Sequence, residues 1–202
     1  MNYNIILFYT IFSRLFPTIY NNIYDISNTK NIFLKKCNNV YLYYIRDFCM
    51  LTSQGNYLTI IYIYYNNSLK KELHDILFLI LFNILYTTTV GFWYINYKKF
   101  YNTNNYVLKI IYILNHGPLL IYFITKIPEN INSFNLINYL LGSLYLLFWY
   151  ICIWYPWKYI TNDTLYEILY IDNNFKNFIS ILKILSIYFS SSIFIYLYLN
   201  FD

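Results

Sequence analysis

Apolar residues run through this chain in long blocks set off by short polar punctuation. The clearest blocks are Ile76 to Tyr97, Tyr106 to Ile127, Leu136 to Tyr155 and Phe178 to Leu199. A block of about 20 residues gives a helix of about 30 Å, the thickness of a bilayer's hydrocarbon core. Each of the four is therefore expected to be a continuous transmembrane helix. An earlier block, Asn4 to Ile23, is interrupted by Arg14 and Pro17. It lacks a basic leading segment and a small-residue cleavage site, so it reads as an uncleaved span. Between them, Tyr57 to Tyr65 is apolar but short. It reaches spanning length when Gln54-Gly55-Asn56 and Asn66 to Leu69 are drawn into the interface. The expected fold is all-α, a single integral membrane domain over residues 1–202. Its six-helix bundle has spans at about 4–23, 54–70, 76–97, 106–127, 136–155 and 178–199.

The edges of the blocks fit this reading. Phe92-Trp93-Tyr94 stands beside Lys98-Lys99, and Trp154 to Trp157 stands beside Lys158. Aromatic and basic residues together are the usual interfacial anchors. Lys183 lies near the start of the last block, where its stem lets the ammonium reach the headgroups. Six spans place both termini on one side. Loops one, three and five hold Lys30, Lys35, Lys36, Arg46, Lys98, Lys99, Lys158 and Lys176, against Lys70, Lys71 and Lys126 in loops two and four. This asymmetry predicts cytoplasmic odd loops and lumenal termini.

Composition sharpens the picture. Only 11% of the 202 residues are charged and 59% are hydrophobic, too little charge to clothe a water-facing surface. The chain has 28 Tyr, 17 Phe, 4 Gly and no Ala. Codons for Ile, Asn, Tyr, Lys and Phe are AT-rich, so the aromatic content reads as nucleotide bias and not as a stacking function. The net charge of +5 is dispersed in pairs such as Lys35-Lys36 and Lys70-Lys71, which gives no basic face for nucleic acid. Three cysteines, Cys37, Cys49 and Cys152, form no CxxC. They read as free thiols, with a Cys37–Cys49 bridge open to an oxidising lumen.

Few residues carry chemistry. His116, in Asn115-His116-Gly117, sits centrally in the Tyr106 to Ile127 block. An ionisable side chain at membrane depth costs about 3 kcal/mol on insertion scales, which makes it a functional-site candidate. It reads either as a catalytic base or as an interhelical hydrogen-bonding residue. His74, in Lys70 to Asp75, reads as a solvated interfacial residue. Its neighbours Glu72 and Asp75 fan out around a helix and supply no metal cluster. A lone helical threonine such as Thr59 ordinarily bonds back to a carbonyl one turn earlier. Ser190-Ser191-Ser192 reads as helix packing. No GxSxG elbow and no glycine-rich phosphate loop is present, and no cofactor or metal is implied.

Read in order, five pieces resemble the FAR-17a/androgen-induced-protein-like transmembrane hydrolases. They are Gly55-Asn56-Tyr57-Leu58-Thr59, Asp75-Ile76-Leu77-Phe78, Phe92-Trp93, Leu114-Asn115-His116-Gly117 and Trp157-Lys158-Tyr159. The resemblance covers about Gly55 to Glu167. It implies a six-span protein of the endomembrane system, in the endoplasmic reticulum or plasma membrane. It also implies an intramembrane threonine hydrolase of lipid esters, the fatty acid esters of hydroxy fatty acids. Its partners would be membrane lipids and the ester itself. On that match Thr59 is the nucleophile, His116 the nearest candidate base and Asn115 its support. The family pattern in span four is Asn-His-x-x-His with the second histidine catalytic, and Leu119 stands there in this chain. Two readings follow: a hydrolase that uses His116 in its place, or a catalytically degenerate membrane protein serving as a helper subunit or small transporter.

Overall fold

The computed structural model describes residues 4–13, 40–65, 68–127, 136–161, 165 and 174–200. Among these every segment is helix or a short connection between helices, and no strand occurs. The elements are α1 (Asn4–Ser13), α2 (Val40–Cys49), α3 (Leu51–Tyr65), α4 (Lys71–Asn102), α5 (Tyr106–Asn115), α6 (Pro118–Thr125), α7 (Leu136–Phe148), α8 (Tyr155–Thr161) and α9 (Asn174–Asn200). A π-helical turn, Trp149–Trp154, joins α7 to α8 in one rod. Pro156 follows it directly. A proline donates no N–H, and its ring presses on the carbonyl one turn back. Widening the helix just ahead of Pro156 relieves that clash, and the Tyr155 amide reaches the Tyr150 carbonyl five residues earlier.

The fold is helical as expected, and three stretches are long and apolar enough to cross a membrane: Lys71–Ile95, Ile137–Thr161 and Phe178–Asn200. The other expected boundaries change. Helix α3 begins at Leu51 and ends at Tyr65, short of the expected limit near Lys70. Its 15 residues make about 22 Å. The block Tyr106 to Ile127 is not continuous, because the helix stops at Asn115 and restarts at Pro118. Pro118 cannot donate to Leu114, and Gly117 takes a non-helical conformation (φ −158°, ψ −72°) to turn the chain. Helix α2 forms inside the expected loop one. Cys37 and residues 14–23 of the first expected span lie outside the described residues.

Helix α4 is the spine, 32 residues and about 48 Å long. Gly55 lets α3 lie flush on it, since a Cβ there would stand 2.8 Å from Ile84 Cγ2. Gly142 does the same for α7, where a Cβ would stand 3.2 Å from Leu79 Cβ and 3.5 Å from Asn83 Nδ2. Helix α6 packs through Phe123 on Phe78, with ring centroids 5.3 Å apart. Helix α9 packs through Phe194 on Phe82 at 6.0 Å. Paired contacts set the directions. Gly55–Ile84 with Tyr62–Phe78, His116–Phe92 with Phe123–Phe78, and Ser190–Tyr86 with Phe194–Phe82 make α3, α5–α6 and α9 antiparallel to α4. Tyr139–Ser191 with Gly142–Tyr188 makes α7 antiparallel to α9 and so parallel to α4.

The distribution of side chains is consistent with a bundle that faces lipid. Phe8, Ile121, Ile137, Leu144, Ile151 and Ile193 all point outward, each more than half exposed. Thr52, Ser53, Gln54, Asn56, Thr59, Asn83, Thr87 and Ser191 are buried. Water would select the reverse; lipid tails are as apolar as leucine, so hydrogen bonds and close packing hold such helices together.

The glycines give a graded test of this packing. Gly55→Ala must displace the branched Ile84 side chain and is expected to lower bundle stability by about 1–3 kcal/mol. At Gly91 a Cβ would meet only Ile187 Cδ1 at an ordinary 3.9 Å. Gly91→Ala is expected to be neutral or slightly stabilising, because alanine is the better helix former. Thermal denaturation in detergent should rank Gly91→Ala at or above wild type and Gly55→Ala clearly below.

Candidate functional site

The two residues singled out by the sequence lie on different helices at different heights. Thr59 is fully buried on α3, and its hydroxyl donates to the Gly55 carbonyl at 2.7 Å. This is the ordinary back-bond of a helical threonine. Gly55 meets Ile84 on α4, and Tyr62 meets Phe78 with ring centroids 6.2 Å apart. Thr59 lies between those contacts, at the height of Ile80.

His116 lies elsewhere. Its ring stacks face to face on Phe92, with centroids 3.9 Å apart and planes 5° apart. His116 therefore packs on α4 toward its C-terminal end from the level of Thr59. A proton transfer needs heavy atoms about 3 Å apart, or one water between them. The Thr59 hydroxyl is given to the Gly55 carbonyl, and the His116 ring lies on the face of Phe92. His116 is not central. The apolar stretch Lys71–Ile95 has its midpoint at Asn83, and His116 sits about 13 Å from that height, beside Trp93. Its central place in the Tyr106 to Ile127 block misleads because that block breaks at this residue and α4 overshoots a bilayer. Leu119, one turn deeper, is buried in the same apolar cluster as Tyr62, Phe78 and Phe123.

At His116 the chain solves a backbone problem. The Leu114 carbonyl loses its helical donor because residue 118 is proline. The Tyr9 hydroxyl of α1 donates to it instead. The His116 carbonyl is also freed by the break, and Trp93 Nε1 donates to it at 2.7 Å. Unsatisfied backbone groups are expensive in an apolar medium, and here two side chains from other helices replace the missing ladder bonds. Asn115 is the last residue of α5 and belongs to this break.

His74 closes the α3–α4 hairpin and is less solvated than its position suggests. Its Nε2 pairs with the Tyr62 hydroxyl at 2.7 Å and its Nδ1 with Asp75 Oδ1 at 3.3 Å. No cluster of three metal-ligating side chains occurs among the described residues.

The densest polar centre was not singled out from the sequence. It joins α4, α7 and α9 around Asn83. Ser191 donates to Asn83 Oδ1 at 2.7 Å, Tyr188 donates to the Gly142 carbonyl at 2.7 Å, and the Tyr139 hydroxyl lies 3.4 Å from Ser191 Oγ. A second tie crosses from α7 to α3, where Tyr145 donates to Gln54 Oε1 at 2.8 Å and Gln54 Nε2 donates to the Phe48 carbonyl at 3.1 Å. The readable signal was Asn83 itself, an amide near the middle of the strongest apolar block. Its partners come from sequence positions more than 50 residues away.

Comparison with protein-family models, with curated proteins and with solved structures finds no match to this chain.

Disulfide cross-linking in a cysteine-free background tests the placement of the two residues. Phe92→Cys with His116→Cys is expected to cross-link readily under mild oxidation. Thr59→Cys with His116→Cys is expected to give none, even with a short bifunctional maleimide. Cross-linking of the second pair would show that the two residues share a depth after all.

Proposed function

We propose that this chain is a non-enzymatic, multi-pass integral membrane protein, a catalytically degenerate relative of the FAR-17a/androgen-induced-protein-like hydrolases. The observation that carries the reading is that the His116 ring lies on Phe92, toward the C-terminal end of α4 from Thr59. Three further features support it. The Thr59 hydroxyl is engaged by the Gly55 carbonyl, Leu119 occupies the sequence position at which the family pattern places its base, and His116 belongs to a backbone break. A threonine hydroxyl without an adjacent base is a poor nucleophile.

In this reading the chain crosses the membrane six times. Helix α3 and the broken α5–α6 segment complete the crossings begun by the three long helices, and α1 belongs to the first. The two ends of the bundle differ in charge. Arg46, Lys98, Lys99, Lys109, Lys158 and Lys183 cluster toward the Trp93 end, and Lys70, Lys71 and Lys126 toward the other. The positive-inside rule then turns the Trp93 end to the cytoplasm and the termini to the lumen of the endomembrane system. Lys158 over Trp154 at 5.3 Å and Lys109 over Phe100 at 5.7 Å give that end its aromatic and basic rim. The partners are membrane lipids on the apolar outer surface, and the role is that of a helper subunit held in the bilayer.

The test is activity-based labelling of purified protein in lipid nanodiscs. A hydroxyl-reactive fluorophosphonate probe is expected to label wild type no more than Thr59→Ala, and neither is expected to turn over a long-chain ester of a hydroxy fatty acid. Labelling or turnover that is present in wild type and lost in Thr59→Ala would establish the hydrolase reading instead.

A further inference from the structure

Helix α4 outruns the apolar stretch it carries. That stretch ends at Ile95, and the helix continues through residues 96–102, about 10 Å farther. Thr103 to Asn105 then turn the chain into α5. The turn is closed at both ends. The Thr103 amide donates to the Phe100 carbonyl at 3.3 Å, and Asn105 Oδ1 accepts from the Val107 amide at 2.9 Å, as a helix N-cap does. Two ring contacts fasten the helices together. The Trp93 and Phe100 rings meet edge to face with centroids 5.0 Å apart, and Lys109 Nζ of α5 lies 5.7 Å over the Phe100 ring. The result is a closed hairpin that projects past the apolar stretch.

What the tip exposes is amphipathic and basic. Tyr97, Tyr101 and Tyr106 are all more than half exposed, and Lys98 is exposed among them. Tyrosines gather at headgroup level because their rings are apolar and their hydroxyls polar. Residues 92–110 contain Lys98, Lys99 and Lys109 and neither Asp nor Glu. The hairpin at the other end of α4 differs, since Lys70 and Lys71 there are followed by Glu72 and Asp75. One hairpin thus balances its own charge and the other does not. The Phe100 ring orients the Lys109 ammonium without neutralising it. Ammonium groups and phenol hydroxyls both donate hydrogen bonds, and phosphate oxygens accept them. A zwitterionic headgroup carries its own cation beside the phosphate, whereas an anionic one supplies the net negative charge that this tip lacks.

We propose that the α4–α5 hairpin is a docking surface for anionic phospholipid headgroups, with Lys98 and Lys109 meeting the phosphates and Tyr97, Tyr101 and Tyr106 lying at headgroup level. The inference rests on the reading that the bundle spans a bilayer with its Trp93 end at one face, and it does not depend on whether Thr59 is catalytic. A lysine near an anionic membrane surface strengthens binding about fivefold, and salt weakens the effect. The hairpin selects the lipids that surround one end of the bundle, while the balanced hairpin at the other end does not discriminate.

Fluorescence quenching in nanodiscs tests it. A fluorophore on Asn102→Cys, in a cysteine-free background, is quenched by lipids that carry a nitroxide high on the acyl chain. The quencher is phosphatidylglycerol or phosphatidylcholine at equal mole fraction. Phosphatidylglycerol is expected to quench more strongly. That preference is expected to fall about fivefold in Lys98→Gln and again in Lys109→Gln, to shrink at high salt and to survive Lys70→Gln. Equal quenching by the two lipids would overturn the proposal, and so would a preference that persists in the Lys98→Gln, Lys109→Gln double variant. Loss of the preference on adding soluble glycerol phosphate would assign the tip to free anions and overturn the lipid. A second label at Ile193→Cys separates the two levels of the account. Quenching at 193 with none at 102 would overturn this proposal alone, and no quenching at either position would overturn the spanning bundle with it.

Discussion

Polar groups inside an apolar solvent must find partners inside the protein, and this bundle is arranged around that constraint. Lipid offers a backbone amide or a hydroxyl nothing to bond with. The chain therefore turns its Ile, Leu and Phe side chains outward and collects Thr, Ser, Asn, Gln and Tyr hydroxyls between helices. Most threonine and serine hydroxyls are satisfied on their own helix, as at Thr59 and Ser143. The remainder tie helices together across long sequence distances, as Ser191 does to Asn83, Tyr145 to Gln54 and Trp149 to the Cys49 carbonyl. Two glycines, Gly55 and Gly142, bring α3 and α7 close enough to α4 for these ties to form.

The same constraint explains the fourth apolar block. Pro118 removes one donor and the turn at Gly117 frees another carbonyl, so a break here is affordable only with replacements. Tyr9 and Trp93 are those replacements, and they fasten α1 and α4 to the break. The face-to-face contact of His116 with Phe92 sets the depth of α5 and α6 against the spine. A histidine that marks a functional site by its place in the sequence is, in three dimensions, part of a joint near the aromatic edge of the bundle. The chemistry suggested by resemblance needed Thr59 and a histidine to share a depth. At the family's catalytic position, one turn on from His116, this chain has Leu119.

The sequence made the helices legible and left their register hidden. Length and apolar content gave α4, the α7–α8 rod and α9 nearly as they stand, because a run of twenty apolar residues has one economical conformation in lipid. Boundaries failed where local chemistry competes with hydropathy. The Gly117–Pro118 step split an apolar block. The polar Leu51–Asn56 turn of α3 proved helical because Ser53 and Gln54 find partners in Asp47 and in the Phe48 carbonyl. The candidate site failed for a different reason. Spacing along a chain fixes which residues share one helix face, and it carries no information on how far two helices slide past each other. That slide is set here by Gly55 on Ile84 and by Phe92 on His116, contacts in which neither partner looks special alone. Asn83 was visible as an amide within an apolar block, while its meaning depended on Ser191 and Tyr188 arriving from a distant segment.

If the bundle spans a bilayer as proposed, the Asn83 level lies at the middle of the membrane and the His116 level toward its edge. Two outward residues report these depths. Ile193 on α9, two residues beyond Ser191, lies near the Asn83 level, and Ile113 on α5, three residues before His116, lies beyond the Phe92 level. Nitroxide labels at Ile193→Cys and Ile113→Cys in nanodiscs, read by oxygen against nickel-chelate relaxation, measure both depths directly. The account predicts a deep label at 193 and a label at 113 shallower by about 18 Å, in or near the headgroups. Equal depths, or a deeper label at 113, would contradict it.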